Sequence, residues 1–162
     1  MGKVAADITA TSTTNLQAIT GLSFPVNPDE VWEFDAYCQC QILFGGKSTS
    51  GGLKFGVGGP VSMTVGGHAI GMGPGSLVQI GGPLDGLAYS YITALSTPTG
   101  TFLGNSSGTN PSTLNGYVHV HCEVANGANS GTVQLLVEAT GLSGVTSIVQ
   151  ANSQILARKQ LP

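Results

Sequence analysis

From Glu30 to Phe44 the chain alternates apolar and polar side chains almost without a break. A strand sends successive side chains to opposite faces. Trp32, Phe34, Ala36, Cys38, Cys40, Ile42 and Phe44 therefore share one face, and Glu33, Asp35, Tyr37, Gln39 and Gln41 the other. A period of two does not suit a helix, whose faces repeat every 3.6 residues. The pattern predicts a half-buried antiparallel strand. At roughly 3.3 Å per residue it spans about 45 Å, long enough to cross a sheet as its central member.

Shorter runs follow the same logic. Val4 to Thr9 and Leu16 to Thr20 read as strands, and Phe24-Pro25-Val26-Asn27-Pro28 as the turn that delivers the chain into the long strand. After the Gly/Ser connection 45–52, Leu53 to Val57 alternates again and reads as a hairpin partner of the long strand. Residues 58–83 are dense in Gly and Pro, with apolar pieces at Val61 to Val65 and Leu77 to Ile80. Leu87 to Leu95 is a further strand, and Ser96 to Leu114 reads as an exposed loop. Asn115-Gly116 is a turn signal. Beyond it, Val118, Val120, Cys122 and Val124 are expected to face Val133, Leu135, Val137 and Ala139 across a hairpin closed by the 126–130 loop. Ser153 to Lys159 is the last strand. The reading is all-β: an antiparallel, jelly-roll-like β-sandwich of about eight to ten strands with little or no helix. Residues 1–14 form an N-terminal arm with the first strand, and 15–162 a single domain.

Composition narrows the partners. Only 8% of the 162 residues are charged, against about a quarter in an ordinary globular protein, and 25 are glycine. Self-repulsion this weak does not hold molecules apart, which favours a homo-oligomer. The net charge is −3, and Lys3, Lys47, Lys54, Arg158 and Lys159 are scattered, so no cluster of cations awaits a phosphate backbone and no nucleic-acid partner is expected. Residues 1–7 hold no apolar signal-type run, no stretch has the length of a membrane span, and Met1-Gly2 lacks the Ser or Thr at position 6 of a myristoylation pattern. Three cysteines do not make a secreted disulfide framework, which places folding in a reducing cytoplasm.

Candidate chemistry is sparse. Gly46-Lys47-Ser48 resembles part of a phosphate loop, but Gln41 stands where the first glycine belongs and no helix is predicted after it. Gly104-Asn105-Ser106-Ser107-Gly108 fits a nucleophile elbow in spelling only, because Thr109-Asn110-Pro111 does not begin a helix. Cys38, Cys40, His119, His121 and Cys122 bring a zinc site to mind, yet His119 and His121 lie on the opposite strand face from Cys122. His119, His121 and Glu123 do share a face. Copies of them around a symmetry axis would suit an ion, and paired polar side chains on a solvent or subunit face explain them equally well. Glu33, Asp35, Glu123 and Glu138 fall on outward faces as solvated charge. No catalytic residue, cofactor or metal ligand is assigned, and the chain is expected not to be an enzyme.

The layout is more telling than any motif. Leu22-Ser23-Phe24-Pro25-Val26 leading into Val31 to Tyr37, then Leu53 to Pro60, Gly131 to Ala139 and Asn152 to Arg158, resembles small all-β virion proteins of tailed bacteriophages. The resemblance implies a jelly roll that assembles as a trimer, either cementing the outside of the capsid or heading a tail fibre. No heptad or repetitive shaft segment precedes the β domain, which favours the cement role, with the major capsid protein as partner and the virion surface as location. The arm Met1 to Thr14, the 58–83 region and the 96–114 loop are the expected contact elements. The alternative is a receptor- or carbohydrate-binding tail module using Tyr37, Tyr89, Tyr91 and Tyr117.

Overall fold

The computed structural model describes residues 1–11, 15–44, 51–73, 87–99, 102–105, 113–141 and 145–161. Within them lie strands β1 (Gly2–Lys3), β2 (Ile8–Thr11), β3 (Gln17–Val26), β4 (Val31–Phe44), β5 (Gly51–Gly58), β6 (Thr64–Met72), β7 (Leu87–Ile92), β8 (Phe102–Asn105), β9 (Thr113–Ala125), β10 (Gly131–Gly141), β11 (Val145–Val149) and β12 (Gln154–Lys159). No helix occurs among the described residues. Every pairing is antiparallel. The larger sheet runs β1-β12-β4-β9-β6-β7, with β11 also beside β4 and β2 beside β11; the smaller runs β3-β10-β5-β8. This is the expected all-β antiparallel sandwich.

β4 is the central strand its alternation predicts. One edge carries an unbroken ladder to β9, from Val31 opposite Ala125 to Leu43 opposite Thr113. Two strands placed end to end share the other edge: β12 opposite Trp32 to Tyr37, and β11 opposite Cys40 to Phe44. Between them the Gln39 N–H donates to Ser153 Oγ at 3.0 Å, Ser153 Oγ donates to the Gln150 carbonyl at 2.8 Å, and the Gln150 N–H donates to the Gln39 carbonyl. The backbone groups that the gap would strand are thereby paired, as burial requires. Ser153 has no exposed surface.

The inner faces of the two sheets meet in one core. Phe34, Ala36, Cys38, Cys40 and Ile42 of β4 are each at most 1% exposed, and Leu53, Phe55, Val57, Val133, Leu135 and Val137 close the core from the smaller sheet. Phe24 of β3 bridges the layers, its ring centroid 5.3 Å from Trp32 and 5.6 Å from Phe34.

Several expectations are corrected. Leu53 to Val57 is not a hairpin partner of β4; β5 lies in the other sheet, between β10 and β8. β9 and β10 form no hairpin either, and their apolar faces meet across the core from opposite sheets. Asn115-Gly116 lies inside β9, held extended opposite Gln41 and Cys40 by the β4 ladder, with Gln41 Nε2 donating to Asn115 Oδ1 at 2.9 Å. Val4 to Thr9 is not one strand: Val4 is buried between β1 and β2, and its backbone pairs with Asn152 and Ser153. β3 runs on through Phe24 and Pro25, where a turn was expected. The 96–114 stretch contains β8 and a buried Thr99 whose Oγ1 accepts the Phe55 N–H, so it is not wholly an exposed loop. Glu138 is buried, not solvated, and lies opposite Lys54 in the register. Leu77 to Ile80, Gly46-Lys47-Ser48 and Ser106 lie outside the described residues.

Candidate functional site on the outer face of the larger sheet

The polar half of the β4 alternation forms the outside of the larger sheet, where the register sets residues from five strands side by side. One row reads Arg158, Glu33, Glu123, Gly66; the next reads Leu156, Asp35, His121, His68, Tyr91; a third reads Gln154, Tyr37, His119, Ile70, Tyr89; a fourth holds Gln39, Tyr117 and Met72. Neighbouring strands lie about 4.8 Å apart, so side chains within a row touch.

The rings form a nearly continuous band. Tyr91 meets Tyr89 edge-on at 5.0 Å, Tyr89 stacks on His68 at 5.4 Å, and His68 lies 5.4 Å from His121. On β4, Tyr37 stacks on His119 at 4.7 Å with an interplanar angle of 5°. Asp35 joins the two halves: its Oδ1 accepts from His119 Nε2 at 2.8 Å and from His121 Nδ1 at 3.0 Å. Partial burial works against ionisation of Asp35, but the hydrogen bonds from His119 and His121 and their charge outweigh it and hold the carboxyl below its ordinary range. Partial burial, followed by the hydrogen bond and charge of Tyr91, raises the Tyr89 phenol.

Large side chains stay open to solvent here. Tyr91 is 70% exposed, Tyr117 58% and Met72 53%, and Tyr37 and Leu156 are exposed as well. Beside them Gln39, Met72, Gly73, Asn115, Gly116, Tyr117 and Gln150 line a hollow of about 360 Å³. Exposed aromatic and Met side chains grouped on one face, with little Lys, have the composition of an interaction surface.

The sequence placed His119, His121 and Glu123 on one face, and the structure keeps them there. It adds Glu33 and Asp35 from β4 and His68 from β6, so the group spans three strands. The sequence does not mark His68, because the glycines around it hide the alternation Gly66, His68, Ile70, Met72 of this strand's outer face. The four tyrosines do gather on this sheet. Cys38, Cys40 and Cys122 are buried on the opposite face as free thiols. Burial pushes Cys38 and Cys122 up to about 12 and Cys40 well above its ordinary value, so none is a thiolate nucleophile near neutral pH. Of the expected contact elements, β1 of the arm pairs with β12 and β2 with β11, while 12–14, 74–86, 100–101 and 106–112 lie outside the described residues. No family model and no curated protein matches the chain.

At one end of this face Glu30 ties four groups together. It accepts from the Asn27 N–H and side chain, from Trp32 Nε1 and from Lys159 Nζ, all at 2.8 to 3.0 Å. The Asn27 backbone bond contributes most, then Lys159, and together they lower the carboxyl from 4.5 to about 2. A carboxylate with a depressed folded pKa stabilises the fold above its unfolded value and loses that contribution as pH falls towards the folded one. The urea midpoint of wild type should therefore exceed that of Glu30→Gln at neutral pH, and the gap should narrow from about pH 4.5 downward and close only below about pH 2. A gap independent of pH would mean that the carboxylate charge plays no part.

Proposed function

We propose that this chain is a non-enzymatic structural protein of a bacteriophage virion that self-associates as a trimer, binds the outside of the capsid and stabilises it. The observation that carries the assembly part is the outer face of the larger sheet, where Tyr37, Tyr89, Tyr91, Tyr117 and Met72 are exposed together on four adjacent strands. Such a face loses water-exposed apolar area when a partner covers it, and aromatic anchors supply a large share of the binding energy of protein interfaces. The capsid role comes from the resemblance of layout to phage cement proteins; the sandwich and its low charge support it. The physical action is linkage: a protein that binds the assembled shell and not its free subunits shifts the equilibrium towards the shell in proportion to its occupancy.

A second reading has a specific observation behind it. The hollow beside Tyr117 offers an aromatic ring next to the amides of Gln39, Asn115 and Gln150, a set that suits a neutral sugar and hence a tail module that binds a receptor. One experiment separates the two: quantitative mass spectrometry of purified particles, together with the sedimentation mass of the isolated chain. A copy number comparable to the shell subunit and a trimer in solution are the expected results. A few copies per particle would move the protein to the tail, and absence from particles would sink both readings. Each single change Tyr91→Ser or Tyr117→Ser should weaken association by about 2 kcal/mol, the size of an interface hot spot, and leave the monomer folded.

A further inference from the structure

One corner of the outer face gathers an imidazole and two carboxylates. An ionised carboxylate only accepts hydrogen bonds, so Asp35 Oδ1 requires the proton of His121 to sit on Nδ1 and that of His119 on Nε2. The other ring nitrogen of His121, Nε2, faces Glu33 Oε1 at 3.9 Å. That distance is too long for a hydrogen bond, and a cation that displaces any Nε2 proton would meet a ligand atom from each residue. Glu33, Asp35 and His121 can each present a donor atom, with all three atoms within 4.8 Å of one another.

The surroundings fit a cation. Glu33 lies directly opposite Glu123 in the β4–β9 register, a like-charge pair that destabilises a sheet unless positive charge compensates it. Arg158 supplies part of that charge through Glu33 Oε2 at 3.0 Å, which leaves Oε1 available. Next to Glu123 in the same row stands Gly66, with open space where a side chain would project. A hydrated ion can approach over that gap. The His68 ring stands beside His121 as a further imidazole.

We propose that Glu33 and His121 bind a single divalent ion of the zinc class, with Asp35 as the positioning residue that fixes the His121 tautomer and adds negative charge. An imidazole–carboxylate donor set favours zinc, cobalt or nickel over calcium or magnesium, which take oxygen cages. A carboxylate behind a metal-bound histidine is a usual second partner in such sites. The site belongs to one chain and does not rest on the capsid reading. Either can fail without the other.

The test is calorimetric titration of the full chain with Zn²⁺ alone, with the imidazole ¹⁵N signals followed by NMR. Expected are one ion per chain, a shift of the His121 Nε2 signal, and an affinity lowered about tenfold or more in His121→Ala, in Glu33→Gln and in Asp35→Asn. Because Glu33→Gln is nearly isosteric and His121 is about one-third exposed, both of these variants should keep a cooperative thermal transition without metal, which shows that they fold. His119→Ala should still bind one ion through His121. No binding by wild type, equal binding by His121→Ala and wild type, or one ion shared among two or three chains would overturn the proposal.

Discussion

Phe34→Ala will destabilise the protein by about 3–5 kcal/mol, the range for removing a buried aromatic ring from a packed core. Phe34 is 1% exposed at the middle of the inner face, and its ring packs against Phe24 of the other sheet. The backbone around it is held on both edges, by Cys122 of β9 and Ala157 of β12, so the walls cannot close on the vacated space. Little relaxation means that the cavity cost is added in full to the lost transfer energy. Urea unfolding reads this directly, because Trp32, the sole tryptophan, lies tilted against Phe24 in the same cluster and its fluorescence reports the packing. Phe34→Leu should lose much less. A midpoint for Phe34→Ala within about 1 kcal/mol of wild type would mean that the sheets are not clamped here, since relaxation would then have filled the space.

Gly67→Ala is the second large effect, and its contrast with the next residue makes it a sharp test. Gly67 faces inward from β6, opposite Cys122. A methyl group there would meet the His121 carbonyl oxygen and come to 2.6 Å from Cys122 Sγ. The oxygen belongs to the ladder of the central sheet and cannot swing away. Overpacking of this kind costs about 1–3 kcal/mol, and more where backbone must move. Gly66, one residue earlier, faces outward into open space. Gly66→Ala should raise stability by roughly 0.5–1 kcal/mol, by removing the excess freedom of glycine in the unfolded chain. Opposite signs at adjacent positions are expected from chemical denaturation of the two variants. Equal signs would overturn the close β6–β9 approach.

How far the sequence was legible depended on what the pattern encodes. Alternation tells which face of a strand is buried, and on β4 it did so residue by residue from Phe34 to Phe44. It does not tell which strand lies alongside. Local pattern therefore pairs Leu53 to Val57 with β4 and the Val118 run with the Val133 run, whereas the sandwich sends the members of each pair to opposite layers. Asn115-Gly116 is a poor guide here because its local turn preference is outweighed by a long ladder to β4. β6 was hidden by glycines, and β11 by its shortness. The site was half legible. Parity placed His119, His121 and Glu123 together, but Asp35 and Glu33 joined them only through the cross-strand register, which no local pattern contains.

The partners of β4 also set a timetable. The strand ends at Phe44, yet β9 begins at Thr113, β11 at Val145 and β12 at Gln154. At roughly 5–20 residues per second of synthesis, the apolar half of β4 waits several seconds for any neighbour in its own sheet. During that wait its unpaired edges and its row of Phe, Ile and Cys side chains are available to other nascent chains. Fragments that stop before Thr113 should therefore aggregate, and the larger sheet can close around β4 only once the last third of the chain emerges.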